Sequence, residues 1–220
     1  MPDLTGPLEG FRRAAVLVPL YDSDGATTLL LTRRTQTVEH HKGQISFPGG
    51  ALDDGEELLA AALRETFEEV GIPADEVQIL GRLPEVDVTV SRFQVTPFVG
   101  VIPHPYPLRL NADEIEEIVR VPLAVFRDPA NLRIDKVEWA GQIRDVYHYT
   151  YQTRTIWGAT ARIIRHFVDL VLEMEAPPSP LTAGGLGGGF GGVGPVARMT
   201  DEILKEARRH PGETPMKETR

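Results

Sequence analysis

Residues 49–72, GGALDDGEELLAAALRETFEEVGI, constrain the fold of this 220-residue chain more than any other stretch. Two glycines open it, and a helical pattern runs from about Glu56 to Val70. Gly71 and Pro73 then stop the helix. Leu59, Ala62, Leu63, Thr66, Phe67 and Val70 recur at helical period, so one face is predicted to be anchored on a core. Glu65, Glu68 and Glu69 fall on an adjoining arc, all within about 100° of one another by the 3.6-residue turn. Like charges at this spacing repel by roughly a few tenths of a kcal/mol per pair. Something must offset that repulsion.

Three carboxylates at i, i+3 and i+4 can aim their oxygens at a common volume. At 4 Å in a partly shielded site two unit charges repel by roughly 4 kcal/mol, and a divalent cation reverses the sign. Mg²⁺ favours carboxylate oxygens and waters and is often shared with substrate phosphates. There it polarises a phosphoryl oxygen, activates a bound water and neutralises the leaving phosphate. The default reading of such a cluster is a solvated acidic face. Its neighbours argue otherwise: Gly49 and Gly50 let backbone approach closely, Glu56 lies two turns before Arg64, and Arg64 adjoins Glu65.

Gly50, Glu56, Arg64, Glu65, Glu68, Glu69 and Gly71 reproduce the Nudix box, G-x5-E-x7-R-E-U-x-E-E-x-G-U, with U a bulky apolar residue. Seven fixed positions coincide by chance about once in 10⁸ windows at ordinary composition. Ile72 satisfies the last apolar position and Thr66 departs at the other, a matter of packing. The chain thus resembles the Nudix hydrolases. That resemblance implies an α/β fold, a three-layer α/β/α sandwich with a mixed β-sheet between helices. It also implies hydrolysis of a nucleoside diphosphate linked to another group, with Mg²⁺ or Mn²⁺. By the same resemblance Glu65, Glu68, Glu69 and Arg64 form the catalytic set. Glu65, Glu68 and Glu69 bind the metal, the Gly50 carbonyl adds a ligand, and Glu56 with Arg64 supports the site.

The residues ahead of the box narrow the resemblance to the coenzyme A pyrophosphatase branch, whose motif reads LLTxR[SA]x3Rx3Gx3FPGG. Leu30, Leu31, Thr32, Arg34, Gly43, Phe47, Pro48, Gly49 and Gly50 match, while Thr35 replaces Ser or Ala and Glu39 replaces Arg. The stretches 91–102, 114–131 and 156–164 resemble the same branch. It implies cleavage of coenzyme A to 3′,5′-ADP and 4′-phosphopantetheine. Arg34 and Lys42 are the candidate phosphate contacts and Phe93 a candidate ligand neighbour. His40 and His41, adjacent in sequence, point to opposite faces of an extended chain and do not make a metal pair. The general base is a helix carboxylate or one of Glu114, Glu116 and Glu117.

Elsewhere, residues 14–21 and 28–32 read as a hairpin and 43–50 as a strand ending in a Pro-Gly-Gly turn. Further strands are predicted at 77–83, 93–102, 117–122, 132–139 and 143–151, with a second long helix over 156–175. Two long helices among many strands independently predict a mixed sheet between helices, not a doubly wound parallel one. Residues 1–175 form the expected Nudix domain. From Ala176 the chain turns Gly- and Pro-rich, a linker composition, with a short helix predicted over 200–209.

The net charge of −9 argues against non-specific nucleic-acid or anionic-membrane binding. The absence of cysteine excludes disulfides, thiolate metal sites and a cysteine nucleophile. With no secretory leader and no apolar run of about 20 residues, a cytoplasmic protein is expected. The expected partner is a small nucleotide ligand, CoA-like, and a homodimer is compatible with the family resemblance. Three alternatives remain open. Glu39 favours a broader pyrophosphatase acting on NADH or ADP-ribose. A non-catalytic ligand-binding Nudix module is opposed by the intact carboxylates. An assembly role would rest on the tail.

Overall fold

The computed structural model describes residues 10–36, 43–139 and 141–175. Arg34, Phe93 and the whole box lie among them; Glu39, His40, His41, Lys42 and the tail from residue 176 lie outside.

β1 (Arg12–Ser23) and β2 (Ala26–Arg34) form the expected hairpin, turning through Asp24 and Gly25 at positive φ. The expected strand over 43–50 is two pieces, β3 (Ile45–Ser46) and β4 (Gly49–Ala51). It breaks at Pro48, which has no N–H for a ladder and whose carbonyl instead accepts the Leu17 N–H at 2.9 Å. α1 (Leu58–Val70) follows, then β5 (Gln78–Arg82), β6 (Val86–Val88), β7 (Phe93–Val101) and β8 (Ile115–Pro122). The chain ends its described course with α2 (Leu123–Arg127), β9 (Leu132–Trp139), β10 (Gln142–Tyr151), β11 (Arg154–Trp157) and α3 (Gly158–Glu175).

The main sheet runs β3-β2-β1-β7-β5, with β4 also on β1, β6 on β7 and β8 on β2. β1 and β7 are parallel and the other described pairs antiparallel, so the sheet is mixed. Both faces of β1 are buried. Ala15, Leu17 and Tyr21 face α1 and its flanks, with Ala61, Ala62, Val70 and Ile72. Ala14, Val18 and Leu20 face the opposite way, with Leu29, Leu31, Phe126, Ile163, Ile164 and Phe167. Each large aliphatic or aromatic side chain so buried contributes about 1.5–3 kcal/mol. That is why these strands read as unbroken apolar runs, and it fixes the α/β/α layering. The sheet β11-β10-β9 joins α3 on its side through Tyr149 and Ile156.

Two expectations are corrected, and two short elements were not foreseen. The second long helix begins at Gly158, which has φ 67°, not at residue 156; the β-branched Thr155 and Ile156 belong to β11. β6 and α2 are too short to show a period. The first helix starts at Leu58, not Glu56, because Glu56 is held in the preceding turn.

Candidate active site

β1 serves two partners along one edge. Its C-terminal half pairs with β2 at Leu20–Ser23, and its N-terminal half pairs with β4 at Ala14–Val16. This lays Gly49 and Gly50 directly beneath α1. The buried stripe of α1 is Ala61, Ala62, Thr66, Glu69 and Val70, whereas Phe67 is 56% exposed. The anchored face is therefore rotated from the one expected, and it carries Glu69 inward. Burying a glutamate where a phenylalanine was available runs against transfer energetics, so the packing is set by the small residues 61, 62 and 66 that let α1 approach β1 and β4. Thr66 satisfies its hydroxyl by donating to the Ala62 carbonyl at 2.6 Å. Gly71 ends the helix in the left-handed conformation, its N–H donating to the Phe67 carbonyl at 2.9 Å.

Arg64 is the frame of the site. Its Nε and Nη2 donate to the two oxygens of Glu56 at 2.9 and 3.0 Å. Nη1 donates to Glu65 at 2.9 Å and Glu68 at 3.1 Å, and Nη2 also reaches the Ala51 carbonyl at 3.2 Å. Glu56 in turn accepts the Asp53 N–H at 3.0 Å. These two donors hold the Glu56 carboxyl below its usual pKa, and the same pairing raises that of Arg64. One planar fork thus ties the loop before α1 to two of the box carboxylates.

Glu69 is held differently. It is 2% exposed; Oε1 accepts Arg34 Nη1 at 3.3 Å, and Oε2 is buried with no hydrogen-bond partner. Arg34 Nη2 reaches Glu114 at 3.4 Å. Glu114 comes from a loop that docks on the end of α1: the Asn111 N–H donates to the Glu69 carbonyl at 3.0 Å, and the Asn111 amide donates to Glu114 Oε1 at 3.3 Å. Burial pushes the Glu69 carboxyl up to about 8, and the nearby charges of Glu65 and Glu114 add to it against the pull of Arg34 and the Gly49 backbone N–H. Burial also raises Glu65, partly offset by Arg64.

Among the described residues no three acidic or imidazole side chains converge closely enough to hold a cation as they stand. Glu65 and Glu68 are drawn to Arg64 and Glu69 to Arg34. The donors nevertheless fit a hard divalent ion. They are all oxygens; two of the carboxyls are disfavoured as anions while alone, and one buried oxygen lacks a partner. A Cβ at Gly50 would lie 2.5 Å from the Glu65 carboxyl carbon and Oε1, so only glycine lets that carboxylate sit against β4.

Gly50, Glu65, Glu68, Glu69, Arg64 and Arg34 are thus brought together. Phe93 is placed apart from the arginine–carboxylate network, on the α3 side, with the Arg12 guanidinium 5.0 Å from its ring centre. Of the three carboxylates expected on a loop, only Glu114 is on one and reaches the network; Glu116 and Glu117 lie in β8, which begins at Ile115 and not at residue 117. Glu116 pairs with Arg33, and Glu117 is gripped by Arg154 at 3.0 and 3.2 Å and by Arg33 at 3.4 Å. Sequence reasoning missed Asn111, whose only signal is an Asn in a turn-like stretch.

A mixed sheet between helices, carrying an Arg-framed carboxylate helix over a Gly-Gly strand, defines a Nudix hydrolase. The NUDIX domain family model matches residues 11–143, and the chain belongs to this family. It is similar to the protein named Uncharacterized Nudix hydrolase NudL from Cronobacter sakazakii, 42% identical over 168 residues, covering 76% of this chain and 85% of that protein. The protein of the same name from Escherichia coli O1:K1 is 38% identical over 178 residues, covering 80% and 90%. A solved MutT/nudix family protein from Enterococcus faecalis superposes with a TM-score of 0.52 at 18% identity, over 83% of this chain and 69% of that one, a likeness of fold. The chain is an enzyme acting on phosphoanhydride bonds, in a family that generally needs divalent metal ions. No helix among the described residues is long and apolar enough to cross a membrane.

Proposed function

We propose that this Nudix hydrolase cleaves the diphosphate of coenzyme A or its derivatives, giving 3′,5′-ADP and 4′-phosphopantetheine. The observation that carries the reading is the meeting of two motifs. Arg34, from the CoA-type stretch ahead of the box, lies 3.3 Å from Glu69 of the box itself. Glu65, Glu68, Glu69 and the Gly50 carbonyl are the proposed holders of Mg²⁺ or Mn²⁺. When bound, such an ion activates water and neutralises charge on the leaving phosphate. Arg64 keeps Glu65 and Glu68 oriented, and Arg34 supplies a fork suited to a phosphate edge. Glu114, 42% exposed and beside Glu69, is the loop carboxylate positioned to take a proton from water. Lys42 is proposed as a second phosphate contact, Phe93, which lies away from the carboxylates, only as a neighbour of the far apolar end of an extended ligand, and a homodimer as the assembly.

Glu39, an anion where the CoA motif has a cation, favours a second reading: a broader pyrophosphatase on NADH or ADP-ribose. Incubation with Mg²⁺ and separately Mn²⁺ against CoA, NADH and ADP-ribose, with products weighed by mass spectrometry, separates the two. Dominant 3′,5′-ADP and phosphopantetheine supports the first. Faster turnover of NADH or ADP-ribose replaces it with the second.

A further inference from the structure

The two arginines of the site are held very differently. Arg64 makes five hydrogen bonds of 2.9–3.2 Å to three carboxylates and a carbonyl, leaving it no freedom. Among the described residues Arg34 makes two, at 3.3 and 3.4 Å, longer than the 2.7–2.9 Å usual for charge-assisted pairs. Its backbone is nonetheless fixed: its N–H donates to the Gln44 carbonyl at 3.0 Å, and the Thr35 N–H to the Glu114 carbonyl at 2.8 Å. The β2–β8 register slips between Arg33 and Arg34, so the neighbouring arginines part company. Arg33 goes to Glu116 and Glu117, and Arg34 turns to Glu69 and Glu114.

Resting on the site reading above, we propose that Arg34 is a stand-in cation that gives up Glu69 to the metal and turns to the substrate diphosphate. In the metal-free protein a loosely held guanidinium on a rigid strand end lies against Glu69 and Glu114, in the place a cation would take. The buried Oε2 of Glu69, which has no hydrogen-bond partner among the described residues, is the oxygen left over for a metal ion once the side chain turns toward it. Once that ion holds Glu69, its positive charge repels the guanidinium beside it and weakens the long contact to Oε1. The freed fork then meets a diphosphate, the group that also neutralises the added charge. Metal and substrate therefore bind in a favoured order, and Arg34 is the residue through which one promotes the other.

The test is Mn²⁺ binding without substrate, followed by the EPR signal of free Mn²⁺. Arg34→Gln removes the competing charge, so its Mn²⁺ Kd falls by about fivefold or more, while KM rises by more than kcat falls. Arg34→Lys keeps the charge and binds Mn²⁺ close to wild type, with KM raised by loss of the fork. A residue that merely props Glu69 gives the opposite sign, weaker Mn²⁺ binding in Arg34→Gln, and that result, or no change, overturns the proposal. Should Arg34→Gln not fold, phenylglyoxal labelling of wild-type Arg34 decides the matter by mass spectrometry. Labelling increased by Mn²⁺ and suppressed again by substrate supports exchange; labelling unmoved by Mn²⁺ overturns it. Absence of Mn²⁺ binding to wild type removes the carboxylate site and the exchange together. A Mn²⁺ response that holds while CoA is not cleaved retains the exchange and removes only the substrate reading.

Discussion

Adding one methyl group at each of two neighbouring glycines separates the fold from the site. At Gly50 a Cβ would lie 2.5 Å from the carboxyl carbon and Oε1 of Glu65, and no backbone atom is among its nearest contacts. The carboxylate must retreat by about 1 Å to reach ordinary contact, which also disturbs its 2.9 Å bond to Arg64. A 1 Å misplacement in a catalytic constellation costs about 10²-fold in rate, while moving the end of one side chain costs about 1 kcal/mol or less of stability. At Gly49, by contrast, φ is 148° and the new Cβ would lie 2.4 Å from the Ala15 carbonyl oxygen and 2.6 Å from the Val16 Cα. Backbone cannot step aside there, so Gly49→Ala is expected to cost about 3 kcal/mol or more. Calorimetric Tm, Mn²⁺ affinity and kcat measured on both variants make the test. Gly50→Ala should keep its Tm and lose Mn²⁺ affinity and turnover together. Wild-type turnover and Mn²⁺ affinity in a folded Gly50→Ala refute the claim that Glu65 needs the space above Gly50.

Glu69→Gln should fold normally and lose at least ~10²-fold in kcat; near wild-type turnover removes Glu69 from the proposed metal set. The metal-free protein should be less stable at high pH. With its pKa raised to about 8, folded Glu69 keeps a proton that the unfolded chain releases near 4.5. The folded state therefore binds more protons across that window, and stability is full below it and falls as pH rises through it. Tm without metal should decline from pH 5 to 8.5 and flatten with saturating Mn²⁺, since the ion replaces the proton; a metal-free profile without slope contradicts the burial argument. Arg64→Lys should lower kcat about tenfold or more, because an ammonium cannot bridge Glu56, Glu65 and Glu68 at once; unchanged kinetics would assign the fork no role. Glu117→Gln should lower Tm by loosening Arg154 and Arg33 while leaving kcat near wild type, and a large fall in kcat would make Glu117 the base in place of Glu114.

Much of this was legible in the residues. The box spacing, the apolar runs of β1 and β2 and the count of long helices led to the family and to a mixed sheet between helices. Each of these signals is local: a period, a fixed interval or a turn residue. Where two signals competed, pattern reading went astray. Phe67 and Ala61 both suit a helix, and only the closeness of α1 to β4 decides that the small residue faces in and the aromatic out. Ile156 and Trp157 suited the start of a helix until β10 offered them a partner strand.

The sequence by itself determined the chemistry available: acid side chains at the interval that gathers oxygens, an arginine to hold them, and glycines to let backbone near. It determined the family, because those intervals survive any repacking of the surroundings. Tertiary structure decided the division of labour. It buried Glu69 and left Glu68 exposed, made Arg64 a fixed frame and Arg34 a looser one, and set Glu114 beside Glu69 while Glu116 and Glu117, in β8, went to Arg33 and Arg154. The physical reason is that charge acts through space. Residues 34, 69 and 114 lie far apart along the chain, and their pairing energies exist only once β2, α1 and the loop before β8 are packed together.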